Sequence, residues 1–382
     1  MPPRTLTLSA AGCALLLLAG GATRTLAQQP AAAPPAPTYP NVRVTGRLQS
    51  QAYWFDNDQV APLTGPESNF FLRRARIEAR GSITENISFV IAPSFEGGRV
   101  IDVARGRAGV RLRDAFLDVR LTPAGASTAF SVRMGQEKKP FGRYEFVSSS
   151  NLPTIERGGG RGLLARTTTD LFEENGFLAH DVGASAALTA AHERLTFRAG
   201  VYNGQGESAN DRNDAKSFGA RATYTVWRKL NVGGSAFSRD VIMVPGDTSL
   251  RPDSSFRSNA FGVDAGWGAP GEPGLFTAVD FMSGQEAAEG HDGIRGLNAV
   301  AAWHVRTGHP GLLWAWEPVV RVDRSDPNAD VDDNHQMLLD AGVGLYFSSR
   351  AHFRVMLERQ SFGDAVAADP IVGVRTQLAV TW

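Results

Sequence analysis

Positive charge and hydroxyl chemistry converge on one stretch of this chain. Arg133-Met134-Gly135-Gln136-Glu137-Lys138-Lys139-Pro140-Phe141-Gly142-Arg143-Tyr144-Glu145 is followed by Ser148-Ser149-Ser150 and by Ile155-Glu156-Arg157. An ammonium acts as a point charge, a guanidinium as a two-pronged fork and a serine hydroxyl as a short donor, a set that suits an oxyanion. Elsewhere lysine occurs only at Lys216 and Lys229, so arginine supplies almost all the remaining positive charge. Hydrolytic chemistry has less support. His180, His192, His291, His304, His309, His335 and His352 are scattered, and neither G-x-S-x-G nor H-E-x-x-H occurs. The residue types point to a channel or binder without a cofactor, not to an enzyme.

Strands must position this stretch. Near the end of the chain Val374, Thr376, Leu378, Val380 and Trp382 share one face, and Arg375, Gln377, Ala379 and Thr381 the other. Val44, Leu48, Ala52 and Trp54 alternate in the same way with Arg43, Arg47, Gln49 and Gln51, as do Ala75, Ile77 and Ala79 with Arg74, Arg76, Glu78 and Arg80. Sixteen such segments follow one another between residues 42 and 382, with no convincing amphipathic helix among them. Odd-numbered segments are mostly followed by long polar connections and even-numbered ones by short links such as Arg228-Lys229. A dry core cannot hold one arginine after another, because each buried unpaired charge costs several kcal/mol; a water-filled lumen can. The expected fold is an all-β transmembrane antiparallel barrel of sixteen strands with lipid-facing apolar side chains and aromatic girdles. Its longest connection, about 138–176, carries Lys138, Lys139, Arg143, Arg157, Arg161 and Arg166 and a Gly158–Gly160 run. It is expected to fold into the lumen and set its width.

Export signals agree. Arg4, the apolar run Leu15 to Leu18 and Thr25-Leu26-Ala27 read as a cleaved leader over residues 1–27, followed by an Ala/Pro linker over 28–40 and a barrel over 41–382. Cys13, the single cysteine, would leave with the leader. Formal net charge is zero, which argues against a nucleic-acid partner. The expected location is the bacterial outer membrane, among lipid and lipopolysaccharide.

The central stretch, with its Gly-Gln-x-Lys-x-Pro-Phe block, its following serines and its Glu-Arg pair, resembles the phosphate-selective porin O and P family. The block Phe71-Leu72-Arg73-Arg74-Ala75-Arg76 is similar to that family's Arg-Arg-x-Arg strand. The resemblance implies a sixteen-stranded barrel, a homotrimer and a pore for small inorganic anions, phosphate or polyphosphate, narrowed by its third loop. It places the anion site among Arg73, Arg74, Arg76, Lys138, Lys139, Ser148 and Ser149. Two alternatives stay open: the arginines pair with wall carboxylates such as Glu78, Asp114 and Asp118, or the pore is a general or carboxylate-selective one. Pro140-Phe141-Gly142 reads as a turn that bends the loop inward. Asp323, Asp326, Asp330, Asp332 and Asp333 predict an acidic outer loop that repels anions. Asp326, Asn328 and Asp330 imitate the start of a calcium loop, but Val331 and Met337 stand where its glycine and glutamate belong, so a solvated loop is expected.

Overall fold

The computed structural model describes residues 38–56, 65–95, 110–209, 211, 215–242, 255–286, 293–308 and 312–382. The expected leader, most of the linker, and His291 and His309 lie outside the described residues. Sixteen strands follow in chain order: β1 (Asn41–Phe55), β2 (Ser68–Ser82), β3 (Ile87–Ser94), β4 (Arg111–Arg120), β5 (Ala129–Lys138), β6 (His180–Ala190), β7 (Leu195–Tyr202) and β8 (Ser217–Trp227). The second half comprises β9 (Leu230–Ile242), β10 (Ser255–Trp267), β11 (Gly274–Gln285), β12 (Gly293–Arg306), β13 (Ala315–Asp326), β14 (Gln336–Ser348), β15 (Ala351–Phe362) and β16 (Ile371–Thr381). Each pairs antiparallel with its chain neighbour, and β1 pairs with β16, so the sheet closes without an edge.

Period-2 patterning sorts the two faces as the sequence predicts. On β16, Arg375, Gln377 and Ala379 are buried while Val372, Leu378 and Val380 are exposed. The exposed face is the apolar one, the reverse of a soluble sandwich and the arrangement a lipid-facing wall requires. Trp227 and Trp267 pack together at 5.9 Å on this outer surface.

Glycine lets the β1–β16 seam close tightly, at Gly46 as at Gly373. Gly46 and Trp382 exchange backbone hydrogen bonds, Gly46 N to Trp382 O at 3.1 Å and Trp382 N to Gly46 O at 3.0 Å. A Cβ at Gly46 would stand 2.2 Å from Trp382 Cζ2, so the indole lies where any other side chain would project.

Two local features depart from regular alternation. Gln49 pairs with Arg74 but Ser50 pairs with Leu72, leaving Arg73 as an extra residue in β2. Such a bulge turns two consecutive side chains toward the same face. Inside the connection between β5 and β6 there is also a short helix, α1 (Thr168–Glu174), which the sequence reading did not anticipate. Thr167 caps it reciprocally: its hydroxyl accepts from Asp170 N at 3.3 Å, and Asp170 Oδ2 accepts from Thr167 N at 3.1 Å.

Gly46→Val forces the Trp382 ring or the β1–β16 pair to shift, at a cost of about 1–3 kcal/mol as for other overpacked sites. The expected result is a lower temperature for the gel-mobility change that marks barrel unfolding, with Gly234→Val, whose Cβ would meet nothing nearer than 3.9 Å, leaving that temperature unchanged.

Candidate functional site

One carboxylate gathers three of the sequence-predicted strands' side chains. Glu156, in the β5–β6 connection, accepts from Arg73 Nε at 2.7 Å, from Arg74 Nη2 at 2.7 Å and from Gln51 Nε2 at 2.6 Å. The β2 bulge is what lets consecutive arginines reach the same group. Arg74 Nη1 also donates to Gln49 Oε1 at 2.9 Å. Glu156 is 7% exposed. Burial by itself would raise its carboxyl, but the Arg73 and Arg74 guanidiniums outweigh it and hold the group well below the usual carboxylate range. From another wall, Arg321 Nη1 donates to the carbonyls of Glu156 and Arg157 at 3.0 and 2.9 Å, while its Nε pairs with Asp340 Oδ2 at 2.8 Å.

The rest of the segment is held in the same manner, its backbone amides donating to strand side chains that are buried except for Gln336. Tyr144 N donates to Asp280 Oδ2 at 3.1 Å, and Leu164 N and Ala165 N to Gln360 Oε1 at 2.7 and 2.8 Å. Arg166 N donates to Gln336 Oε1 at 2.6 Å, and Thr168 N to Asp323 Oδ1 at 2.7 Å. Arg375, paired with Glu358 at 2.8 Å, donates to the Arg161 carbonyl at 2.9 Å. Apolar packing supplies the remainder. Phe141, Leu171, Phe172, Phe177 and Leu178 cluster with Tyr202, Phe237, Ala260, Met282 and Ile294. Tyr144, Leu152 and Ile155 cluster with Phe276, Ala278, Val300, Val319 and Met356. Pro140-Phe141-Gly142 is more than a bend: Phe141 is fully buried in that first cluster, and Gly142 has φ +68°.

The seven residues singled out from the sequence are thus split by the fold. Arg73 and Arg74 hold Glu156. Lys138 Nζ pairs with Glu145 Oε1 at 2.9 Å. Lys139 is 3% exposed, donates to the Gly176 carbonyl at 2.6 Å and lies over the Phe237 ring; burial pushes its ammonium down to about 8. Ser149 accepts from Arg47 through its hydroxyl and from Gln49 Nε2 through its carbonyl at 3.0 Å. Ser148 is exposed, its hydroxyl 2.9 Å from that of Ser150. Arg76 borders an open cavity of about 450 Å3 with Arg43, Arg47 and Arg113. A larger cavity of about 1370 Å3 shares Arg43, Asp114, Asn151 and Pro270 with it and is bordered by Lys138, Arg143, Ser148 and Arg198. Pairing with wall carboxylates also occurs: Arg80 with Glu78 at 3.0 Å, Arg133 with Asp118 at 2.9 Å, and Arg133 and Arg198 with Glu137.

Asp323 is a correction. It does not belong to the acidic outer loop; it is 1% exposed on β13 and holds the Thr168 amide and hydroxyl. Asp330, Asp332 and Asp333 remain exposed. The wall groups Asp280, Gln336, Gln360 and Arg321 escaped the sequence reading, because a buried-face polar residue at period 2 does not announce whether water or another segment meets it.

The family model of the phosphate-selective porins O and P matches residues 42–309. The chain belongs to that family. Solved porin-like structures share the fold. An outer-membrane protein OmpT of Vibrio cholerae, in its trimer form, is 11% identical with a TM-score of 0.58, over 90% of this chain and 99% of that one. Salmonella typhi OmpF in complex with daunomycin is 12% identical with a TM-score of 0.57, over 89% and 97%. The outer membrane channel DcaP of Acinetobacter baumannii is 9% identical with a TM-score of 0.57, over 90% and 97%. No curated protein matches the sequence. The protein is an outer-membrane porin.

Removing the charge of Glu156 leaves the buried Arg74 against a neutral amide, with the partly exposed Arg73 beside it, which costs about 3–5 kcal/mol for a broken buried pair. In the porin variant Glu156→Gln, limited proteolysis is expected to cut within 157–166 while the barrel stays folded. The acid limit is set by Glu145: burial alone would raise it, but Arg157 and Lys138 outweigh burial and bring it down from 4.5 to about 2. A depressed carboxyl contributes stability that is fully present above its unfolded value and is lost as pH falls toward the folded one. The wild-type segment is therefore expected to resist the protease at pH 5 and to lose that protection as pH drops from about 4.5 toward 2.

Proposed function

We propose that this porin passes small anions by diffusion, phosphate or polyphosphate among them, and that residues 139–176 fold into its lumen as the constriction loop. The observation that carries this reading is the attachment of the segment. Its carboxylates, carbonyls and amides meet side chains of β1, β2, β11, β13, β14, β15 and β16, one half of the closed strand order, and its apolar side chains meet Tyr202, Phe237 and Ala260 on β7, β9 and β10 in the other half. In this account the predicted site divides by role. Arg73, Arg74, Lys139 and Ser149 fix the loop. Arg76, Lys138 and Ser148 face the passage together with Arg43 and Arg143, and the passing anion meets these groups. Arg43 carries no ion pair among the described residues. A fork, a point charge and a hydroxyl around one gap suit an oxyanion.

Homotrimerisation belongs to the same reading, supported by the fold shared with the Vibrio cholerae OmpT trimer form. So does the export leader over residues 1–27. A less selective pore is the competing reading. It is favoured by the wall pairs that neutralise Arg133 and Arg198 on Glu137 and by the exposed aspartates of the β13–β14 loop, which weaken long-range steering of anions.

Single-channel recording across a salt gradient decides between them. The anion pore predicts a reversal potential toward chloride, current block by added phosphate, and a block weakened about tenfold in Arg76→Ala and Arg43→Ala, equivalent to the loss of about 1.4 kcal/mol. Weak selectivity without block would establish the general porin.

A further inference from the structure

Three arginines stand on the wrong face of the barrel. On β12, Arg295 shares the exposed face with Leu297, opposite buried Ile294 and Asn298. On β13, Arg324 follows exposed Val320 and Val322, opposite Arg321 and Asp323. On β15, Arg359 follows exposed Leu357, opposite Glu358 and Gln360. All three side chains are exposed, and among the described residues none of their guanidiniums has a hydrogen bond or ion pair. Each lies close to the strand end at the rim that carries the long connections, since β12 begins at Gly293, β13 ends at Asp326 and β15 ends at Phe362.

Register brings them together. Arg295 pairs with Asp326 and Leu297 with Arg324, so Arg295 and Arg324 are diagonal neighbours, about 7–8 Å apart at the backbone. Arg324 pairs with Met337 and Arg359 with Leu339, which sets Arg359 two strands beyond Arg324, about 10 Å away laterally. The acid facing this group is Asp326, whose Oδ1 accepts from Asn328 N at 3.2 Å and which forms no ion pair with Arg295. On β10, Arg257 is also exposed, but it donates to the Lys216 carbonyl at 2.9 Å.

Cations on a lipid-facing wall cost about 2–4 kcal/mol at mid-membrane and about 0–1 near the interface, so the rim is the one depth at which such a cluster is tolerated. A guanidinium there has its stem against acyl chains and its fork at the headgroups. We propose that Arg295, Arg324 and Arg359 form a binding site for the phosphate groups of a phosphorylated glycolipid of the outer leaflet. Arg295 and Arg324 converge on one phosphate, Arg359 reaches a second, and Leu297, Val322 and Leu357 below them meet the acyl chains. The proposal rests on the barrel's place in the outer membrane and is independent of which solute the pore passes.

The test compares the wild-type porin with the triple variant Arg295→Gln, Arg324→Gln, Arg359→Gln, each reconstituted with bis-phosphorylated lipid A or with enzymatically dephosphorylated lipid A and then carried through detergent exchange. Bound lipid is counted by native mass spectrometry. The wild type is expected to retain phosphorylated lipid A at least tenfold more than the variant does, and neither protein should retain the dephosphorylated form. Heat-dependent gel mobility verifies that the variant is folded, and unchanged single-channel conductance shows that the lumen is untouched. Equal retention by both proteins overturns the proposal, as does retention that ignores the phosphates. It is also overturned if retention is equal and the variant changes oligomeric state, which would assign the arginines to contact with a second copy of the chain.

Discussion

A buried carboxylate between two guanidiniums is the interaction on which the interior of this porin depends. Glu156 is far from Arg73 and Arg74 in sequence, and the three meet only because the barrel closes and β2 bulges. Arg74 is not tolerable in that place without the carboxylate, since removing it leaves an uncompensated ion away from water. The bond therefore makes the position of the central segment conditional on the barrel, and the barrel's interior charge conditional on the segment. Arg321 and Arg375 repeat the device elsewhere on the wall: each is balanced by a strand carboxylate, Asp340 or Glu358, and spends further donors on carbonyls of the segment.

Polar anchors alone would leave a wet, loosely held loop. The two apolar clusters around Phe141 and Tyr144 remove that freedom, and they explain why several buried-face positions of β9 to β13, such as Phe237, Phe276, Val300 and Val319, are apolar in a wall that elsewhere is charged. The strands that receive the segment's hydrophobic side read differently from those that border the cavities. The arginines are in this way sorted by whether a carboxylate reaches them: Arg74, Arg321 and Arg375 are paired and hold the segment, whereas Arg43 borders the cavities.

The architecture was legible because lipid outside and polar groups inside impose period 2 on every strand, and the sixteen segments, the alternating connection lengths and the face assignments of β1, β2 and β16 emerge as read. The family likeness was legible in two blocks. What was not legible was pairing. Arg73 and Arg74 read as members of an anion site, since neither the β2 bulge nor the Glu156 that both meet leaves a signature in side-chain type. Asp323 read as part of an acidic loop because Asp326, Asp330, Asp332 and Asp333 follow it, although it is buried and holds the Thr168 amide. The helix Thr168–Glu174 is too short to show periodicity, and only Thr167 and Asp170 mark its start.

The central claim, that the segment is held as firmly as the strands whose side chains it meets, is tested most directly by amide hydrogen exchange of the folded porin. Tyr144, Leu164, Ala165, Arg166 and Thr168 each donate a backbone hydrogen to a wall side chain. The account predicts protection of these amides approaching that of strand amides, lost from Gly159 to Thr168 when Glu156 is neutralised. Exchange as fast as in the exposed loop at Asp330 to Asp333 would contradict it.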